Sequence, residues 1–146
     1  MRTKNGIPPA VPNSPRRTIR VVAAVVERDG RYLITQRRPN AVLPLLWEFP
    51  GGRVEHGESD TDALTREVRE RLDAGVAVGQ MISYVRHPYD AYEVELYLYD
   101  CRLVGDQELI CQAVNDYRWV TSAEFDQYSF TPADEASMAQ LLGETN

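Results

Sequence analysis

WEFPGGRVEHGESDTDALTREVRERLDAGV, residues 47–76, reads as a short strand through Trp47, a glycine turn, a polar loop and a helix that carries carboxylates. Gly51 and Gly52 follow Pro50, and because glycine lets backbone approach a ligand or take a positive φ without steric cost, a sharp turn is predicted. Ser59 precedes a helical pattern with Asp62 three residues on, a weaker relative of the capping box, so the helix is expected to begin near Asp60. Leu64, Val68 and Leu72 recur every four residues and make one apolar stripe for packing on a sheet. The opposite face holds Glu67 and Glu70. Three residues apart, they are neighbours on the helix surface, and such a like-charge pair is destabilising unless a cation lies between them. A metal site is the reading this suggests.

On the amino-terminal side, residues 19–28 and 31–37 are two β-rich runs around Asp29-Gly30, a dipeptide suited to the type I′ turn of a hairpin. The first run is nearly continuous in Val and Ala, which predicts burial on both faces. RPNAVLPLL (38–46) is a turn-rich loop expected near the mouth of the site. On the carboxyl-terminal side, residues 73–75 stop the helix, 76–87 read as a strand, and HPYDAY (87–92) as a turn. Residues 93–104 alternate, with Val94, Leu96 and Leu98 on one face and Glu93, Glu95, Tyr97 and Tyr99 on the other. A polar connection over 105–114 leads to a short strand at 117–120. Thr121 or Ser122 then caps a short helix through Phe125, and Pro132 opens a last helix to about Leu142. The order predicts an α+β architecture, a mixed sheet with helices covering it.

The chain's 146 residues fit one domain, with 43% hydrophobic and 26% charged residues, the composition of an ordinary globular protein. A formal charge of −6 argues against general nucleic-acid binding, which needs a basic footprint. No apolar run approaches a membrane helix and no signal segment is legible, so a cytoplasmic location is expected. Cys101 and Cys111 lack metal-type spacing and are expected to be unpaired. His56 and His87 have no spaced partners for zinc. Residues 1–17 contain four prolines and no apolar period, and read as a flexible tail ahead of a domain spanning 18–146. Ile7, Val11, Arg16 and Arg17 would also let this tail dock on a partner subunit, as in a homodimer.

The residues from Gly52 onward resemble the Nudix box: Gly, five residues, Glu, seven residues, Arg-Glu, an aliphatic residue, any residue, Glu-Glu, any residue, Gly, aliphatic. Gly52, Glu58, Arg66, Glu67, Val68 and Glu70 match in register. Arg71 stands where the pattern has its last glutamate, and Asp73 where it has glycine. The resemblance covers about residues 18–142. It implies the α/β/α sandwich of that superfamily, with the box helix on one face of the sheet and the last helix on the other.

It also implies a reaction, water attack on the phosphoanhydride of a nucleoside triphosphate, ordinary or modified, with Mg2+ or Mn2+ as cofactor. Glu67 and Glu70 would be metal ligands or help activate water, Gly51 would offer its carbonyl to the metal, and Glu58 and Arg66 would hold the helix in place. Arg53 would face a phosphate, and Arg37 and Arg38 are further phosphate candidates. Trp47, Phe49 and Tyr128 could stack on the base, whose edge Asp134 could read. Arg71 lies about 40° round the helix from Glu67 and can pair with it at i+4, in competition with a metal. Relatives often supply a further glutamate where this chain has Ala113, so Asp106, Glu108 or Asp116 would have to reach the site instead. Two functions follow: a hydrolase working with the remaining glutamates, or a silent domain in which Arg71 neutralises phosphate and the protein binds a nucleotide or partner without cutting.

Overall fold

The computed structural model describes residues 17–106 and 108–141. The expected amino-terminal tail and its docking on a partner subunit lie outside these, apart from Arg17, which opens the first strand. The elements are β1 (Arg17–Arg28), β2 (Arg31–Gln36), β3 (Trp47–Glu48), β4 (Gly51–Arg53), α1 (Asp60–Leu72), β5 (Val76–Pro88), β6 (Tyr92–Leu103), β7 (Asp116–Val120), a 3-10 turn (Ser122–Gln127) and α2 (Pro132–Leu141). The hairpin turn is as expected, with Asp29 at φ 54° and Gly30 at φ 78°. The turn expected over 87–92 is narrower, because β5 runs through Pro88 and β6 begins at Tyr92.

β1 is the spine of the seven-stranded mixed sheet, whose main path is β3-β2-β1-β6-β5. One edge of β1 pairs in parallel with β6 from Arg17↔Tyr92 to Val26↔Cys101. The other edge is shared: Val21, Val22 and Ala23 pair with Arg53, Gly52 and Gly51 of β4, while Glu27 and Arg28 pair with β2. β7 extends β2 on its far side. The strand alternation of period two therefore builds two cores. Val22, Ala24 and Val26 pack with Ala63, Leu64, Val68 and Leu72 of α1. Ala23 and Val25 face Leu96, Leu98, Phe130, Ala133 and Met138 on the α2 side. Each fully buried Leu or Val contributes about 1.5–3 kcal/mol relative to exposure. The result is the three-layer sandwich expected.

The glycine pair departs from expectation. Gly51 and Gly52 form no turn: neither has a positive φ, and both lie in β4, laid against β1. A Cβ on Gly51 would meet the Val22 carbonyl at 2.0 Å, and one on Gly52 would meet the Glu67 carboxyl carbon at 2.3 Å. Glycine is needed there for close approach, of backbone in one case and of a carboxylate in the other.

Candidate functional site

Both ends of α1 are fixed. Ser59 Oγ accepts from the Asp62 N–H (3.1 Å), and Asp73 closes the helix at φ 52° with its N–H on the Arg69 carbonyl (3.0 Å). Arg20 of β1 donates to the Asp60 carboxylate through Nε and Nη2 (2.9 and 2.8 Å), and the Tyr99 hydroxyl of β6 donates to the same carboxylate (2.5 Å). The Arg20 bond is the main reason Asp60 titrates below its usual range, and burial beside Asp60 pushes Tyr99 up to about 12. The helix is thus held to the sheet at the end from which its glutamates are counted.

Arg66 gathers Glu58, Glu67 and Glu70 around one guanidinium. Its Nε and Nη2 fork onto Glu58 (2.7 and 3.0 Å), its Nη1 reaches Glu67 (3.0 Å) and Glu70 (3.2 Å), and its Nη2 donates to the Arg53 carbonyl (2.9 Å). The fork pulls the Glu58 carboxyl down to about 2. Glu67 is buried at 8% exposure against Gly52, whereas the Glu70 side chain is 58% exposed. Arg71 takes the other Glu67 oxygen through Nε at 2.7 Å and stands 3.9 Å from Glu48.

Two clefts meet at this helix. The larger, about 430 Å³, follows β1 from Arg17, beside Tyr92, to Ala23, beside Gly51; the six residue steps between them span about 20 Å. Its walls include Glu48, Phe49, Arg53, Arg71, Tyr89 and Asp134. The smaller, about 280 Å³, is bordered by Arg37, Arg38, Glu67, Glu70, Arg71 and Ala113. Arg37 and Arg71 border both.

Most of the expected residues therefore converge. Trp47 does not: it is 9% exposed, sits edge-on to Tyr128 and borders neither cleft, because the pleat that points Glu48 at the cleft turns Trp47 into the core. Tyr128 stays in that core with it. Ala113 borders the smaller cleft, with its N–H on the Arg71 carbonyl (3.1 Å). Asp106, Glu108 and Asp116 border neither cleft, and Asp116 is paired with Arg118.

Two more acids border the larger cleft, the half-buried Glu48 and the buried Asp134. Asp134, 5% exposed at the start of α2, accepts from the Phe49 N–H (3.1 Å) and shares a 2.5 Å bond with Thr131 Oγ1. Burial, with the Glu48 charge nearby, pushes it up to about 7. Burial also raises Glu48, against the pull of Arg37 (3.2 Å) and Arg71. Sequence reasoning missed Glu48, Arg17, Tyr89 and Tyr92 as cleft residues. Glu48 lies in a two-residue strand whose neighbour Phe49 borders the same cleft, so no alternation marked it.

Carboxylate oxygens suit a hard divalent ion, and Glu67 and Glu70 both border the smaller cleft. Among the described residues no three carboxylate, imidazole or thiol groups gather as a metal cage. Both Glu67 oxygens accept from guanidinium groups. The donor chemistry fits; one oxygen has to be released by Arg71. Cys101 is buried and Cys111 exposed, both free thiols, and no described helix is long and apolar enough to cross a membrane.

Comparison with known proteins agrees with this geometry. The NUDIX domain family matches residues 21–140. A CTP pyrophosphohydrolase of Escherichia coli is 37% identical over 127 residues, covering 83% of this chain and 92% of the relative. A nucleoside triphosphatase of Salmonella arizonae is 30% identical over 125 residues, 77% of this chain and 89% of that one. Among solved structures, the ORF135 protein of Escherichia coli superposes with a TM-score of 0.74 at 32% identity, over 88% of this chain and 91% of that one.

Proposed function

The chain belongs to the Nudix family, and we propose that it hydrolyses a nucleoside triphosphate between the α- and β-phosphates, water adding to phosphorus and pyrophosphate leaving. The observation that carries this reading is the larger cleft, which joins a tyrosine-bearing end at Tyr89 and Tyr92 to a guanidinium-bearing end beside the α1 glutamates. Its volume is that of a small-molecule site, and its length suits a base, a sugar and three phosphates. The relatives' names favour hydrolysis over the silent-domain alternative.

In this reading Arg37 and Arg53 contact phosphate, and Phe49 forms the apolar wall against which the base lies. Asp134 presents an oxygen to an exocyclic amine, which makes CTP or a modified cytosine nucleotide the first substrate to try, as the name of the Escherichia coli relative suggests. Glu67 and Glu70, with the Gly51 carbonyl, would hold Mg2+ or Mn2+, which when bound neutralises the polyphosphate and acidifies water. Arg66 and Glu58 keep Glu67 in one rotamer, and the bare face of Gly52 gives it room.

The test is pyrophosphate release from a panel of ordinary and modified nucleoside triphosphates with Mg2+ or Mn2+. Turnover is expected for at least one, with Glu67→Gln lowering it about 100-fold or more, the usual scale for losing a proton-handling or ion-holding carboxylate. A wild-type protein that turns over none of them sinks the proposal.

A further inference from the structure

Arg71 occupies an unusual place. It is a cation on the wall between the two clefts, where the triphosphate of the proposed substrate would lie, yet its Nε is spent on Glu67 at 2.7 Å. The two partners of this ion pair are not equally free to move. Glu67 is hemmed in: a Cβ on Gly52 would already touch its carboxylate, and Arg66 holds its second oxygen at 3.0 Å. Arg71 is a long side chain, 25% exposed, whose Nη1 stands 3.9 Å from Glu48, too far for a hydrogen bond. When the pair opens, Arg71 is the side that travels.

A triphosphate offers pairs of anionic oxygens on tetrahedral phosphorus that the planar guanidinium fork can grip bidentately, against the single oxygen that Glu67 supplies. Its arrival in the larger cleft draws Arg71 off Glu67. That leaves a buried carboxylate with one oxygen uncompensated, a state that calls for a replacement cation.

We propose that Arg71 is an internal cation that exchanges partners, bound to Glu67 in the free protein and to substrate phosphate in the complex, so that Glu67 becomes open to a divalent ion only when a nucleotide is in the cleft. Arg71 thereby orders the assembly of the site: nucleotide first, metal second. This rests on the nucleotide-hydrolase reading above, of which it specifies the regulation.

Two binding measurements, neither of them turnover, test it on the full chain with Arg71→Gln and Arg71→Lys, whose melting temperatures confirm folding. The first is Mn2+ binding to nucleotide-free protein, read from the resonance of free Mn2+. The wild type is expected to bind weakly and Arg71→Gln about tenfold more tightly or better, because the neutral side chain surrenders the Glu67 oxygen. The second is calorimetric binding of the α,β-methylene analogues of CTP and ATP in EDTA. The wild type is expected to bind at least one without metal, Arg71→Gln to lose about tenfold or more, and Arg71→Lys to fall between. If Arg71→Gln leaves either affinity unchanged, Arg71 is a fixed structural ion pair and the exchange is wrong, while pyrophosphate release by the wild type keeps the hydrolase reading standing. If neither analogue binds any of the three proteins and no triphosphate is turned over, both fall.

Discussion

Gly52 shows how much a single hydrogen can decide. Its replacement by alanine would drive a Cβ to within 2.3 Å of the Glu67 carboxyl carbon, and Glu67 has no slack because Arg66 and Arg71 hold both its oxygens. Gly52→Ala is expected to cut pyrophosphate release about 100-fold, the cost of misplacing a reacting group by about 1 Å, with a smaller effect on melting temperature. The glycine pair was legible in the sequence, but its purpose was not: close approach and turn both call for glycine, and only the pairing of β4 with β1 separates them. Asp134 carries a second outcome. Its folded value of about 7 lies above the ordinary aspartate value, so between about pH 4 and pH 7 the folded state binds the extra proton. This contribution to stability is present at low pH and is lost as pH rises to about 7. Urea unfolding of the wild type should therefore weaken from pH 5 to pH 8 relative to Asp134→Asn, which keeps the acceptor for Phe49 and has nothing to titrate. A difference that is flat or of opposite sign contradicts the assignment. The sequence marked Asp134 as an acid at a helix start; it could not reveal a burial that depends on Phe49 arriving from 85 residues away.

Of the elements, α1 was read almost completely from its own residues, since its cap, apolar stripe and left-handed terminus are all local. What the sequence hid is what ties the helix down. Arg20, Asp60 and Tyr99 come from three elements separated by 39 and 40 residues, and no spacing rule connects them. Asp60→Ala removes the two-pronged bond from Arg20, the Tyr99 bond and a carboxylate at the positive end of the helix. The loss is expected to be about 1–2 kcal/mol in chemical denaturation, discounted because Arg20 is 43% exposed. Leu64→Ala, in the fully buried stripe of the same helix, should cost more, about 2–5 kcal/mol. An Asp60 loss that exceeds the Leu64 loss would mean that the anchor, rather than the core, fixes α1. β3 is the converse case. A two-residue strand is too short for its alternation to declare itself, and so Trp47, which packs inward, could be taken for a stacking residue.

Taken whole, the molecule is two cores divided by one sheet, with the larger cleft running along β1 on the side where β4 and β6 flank it. A nucleotide bound there touches residues from β1, β4, β6 and the start of α2 together, so it should stabilise the entire fold. At a concentration 100 times its Kd, a nucleotide analogue is expected to add about 2.7 kcal/mol to the unfolding free energy, and absence of any shift at saturation argues against the cleft as the binding site. The layered class was legible because two runs of strands are each followed by an amphipathic or capped helix; the strand order was not, since β1 meets β6 through pairing between residues 75 apart, Arg17 and Tyr92. That parallel pairing also governs how the protein comes into being. β1 is synthesised well before its long partner, and the entropy of closing so wide a loop must be met before the contact gives anything back. On the ribosome, the spine of the sheet stays incomplete until residues through Leu103 have emerged, and until then its Val-rich run at 21–26 is an open edge exposed to aggregation and to chaperones.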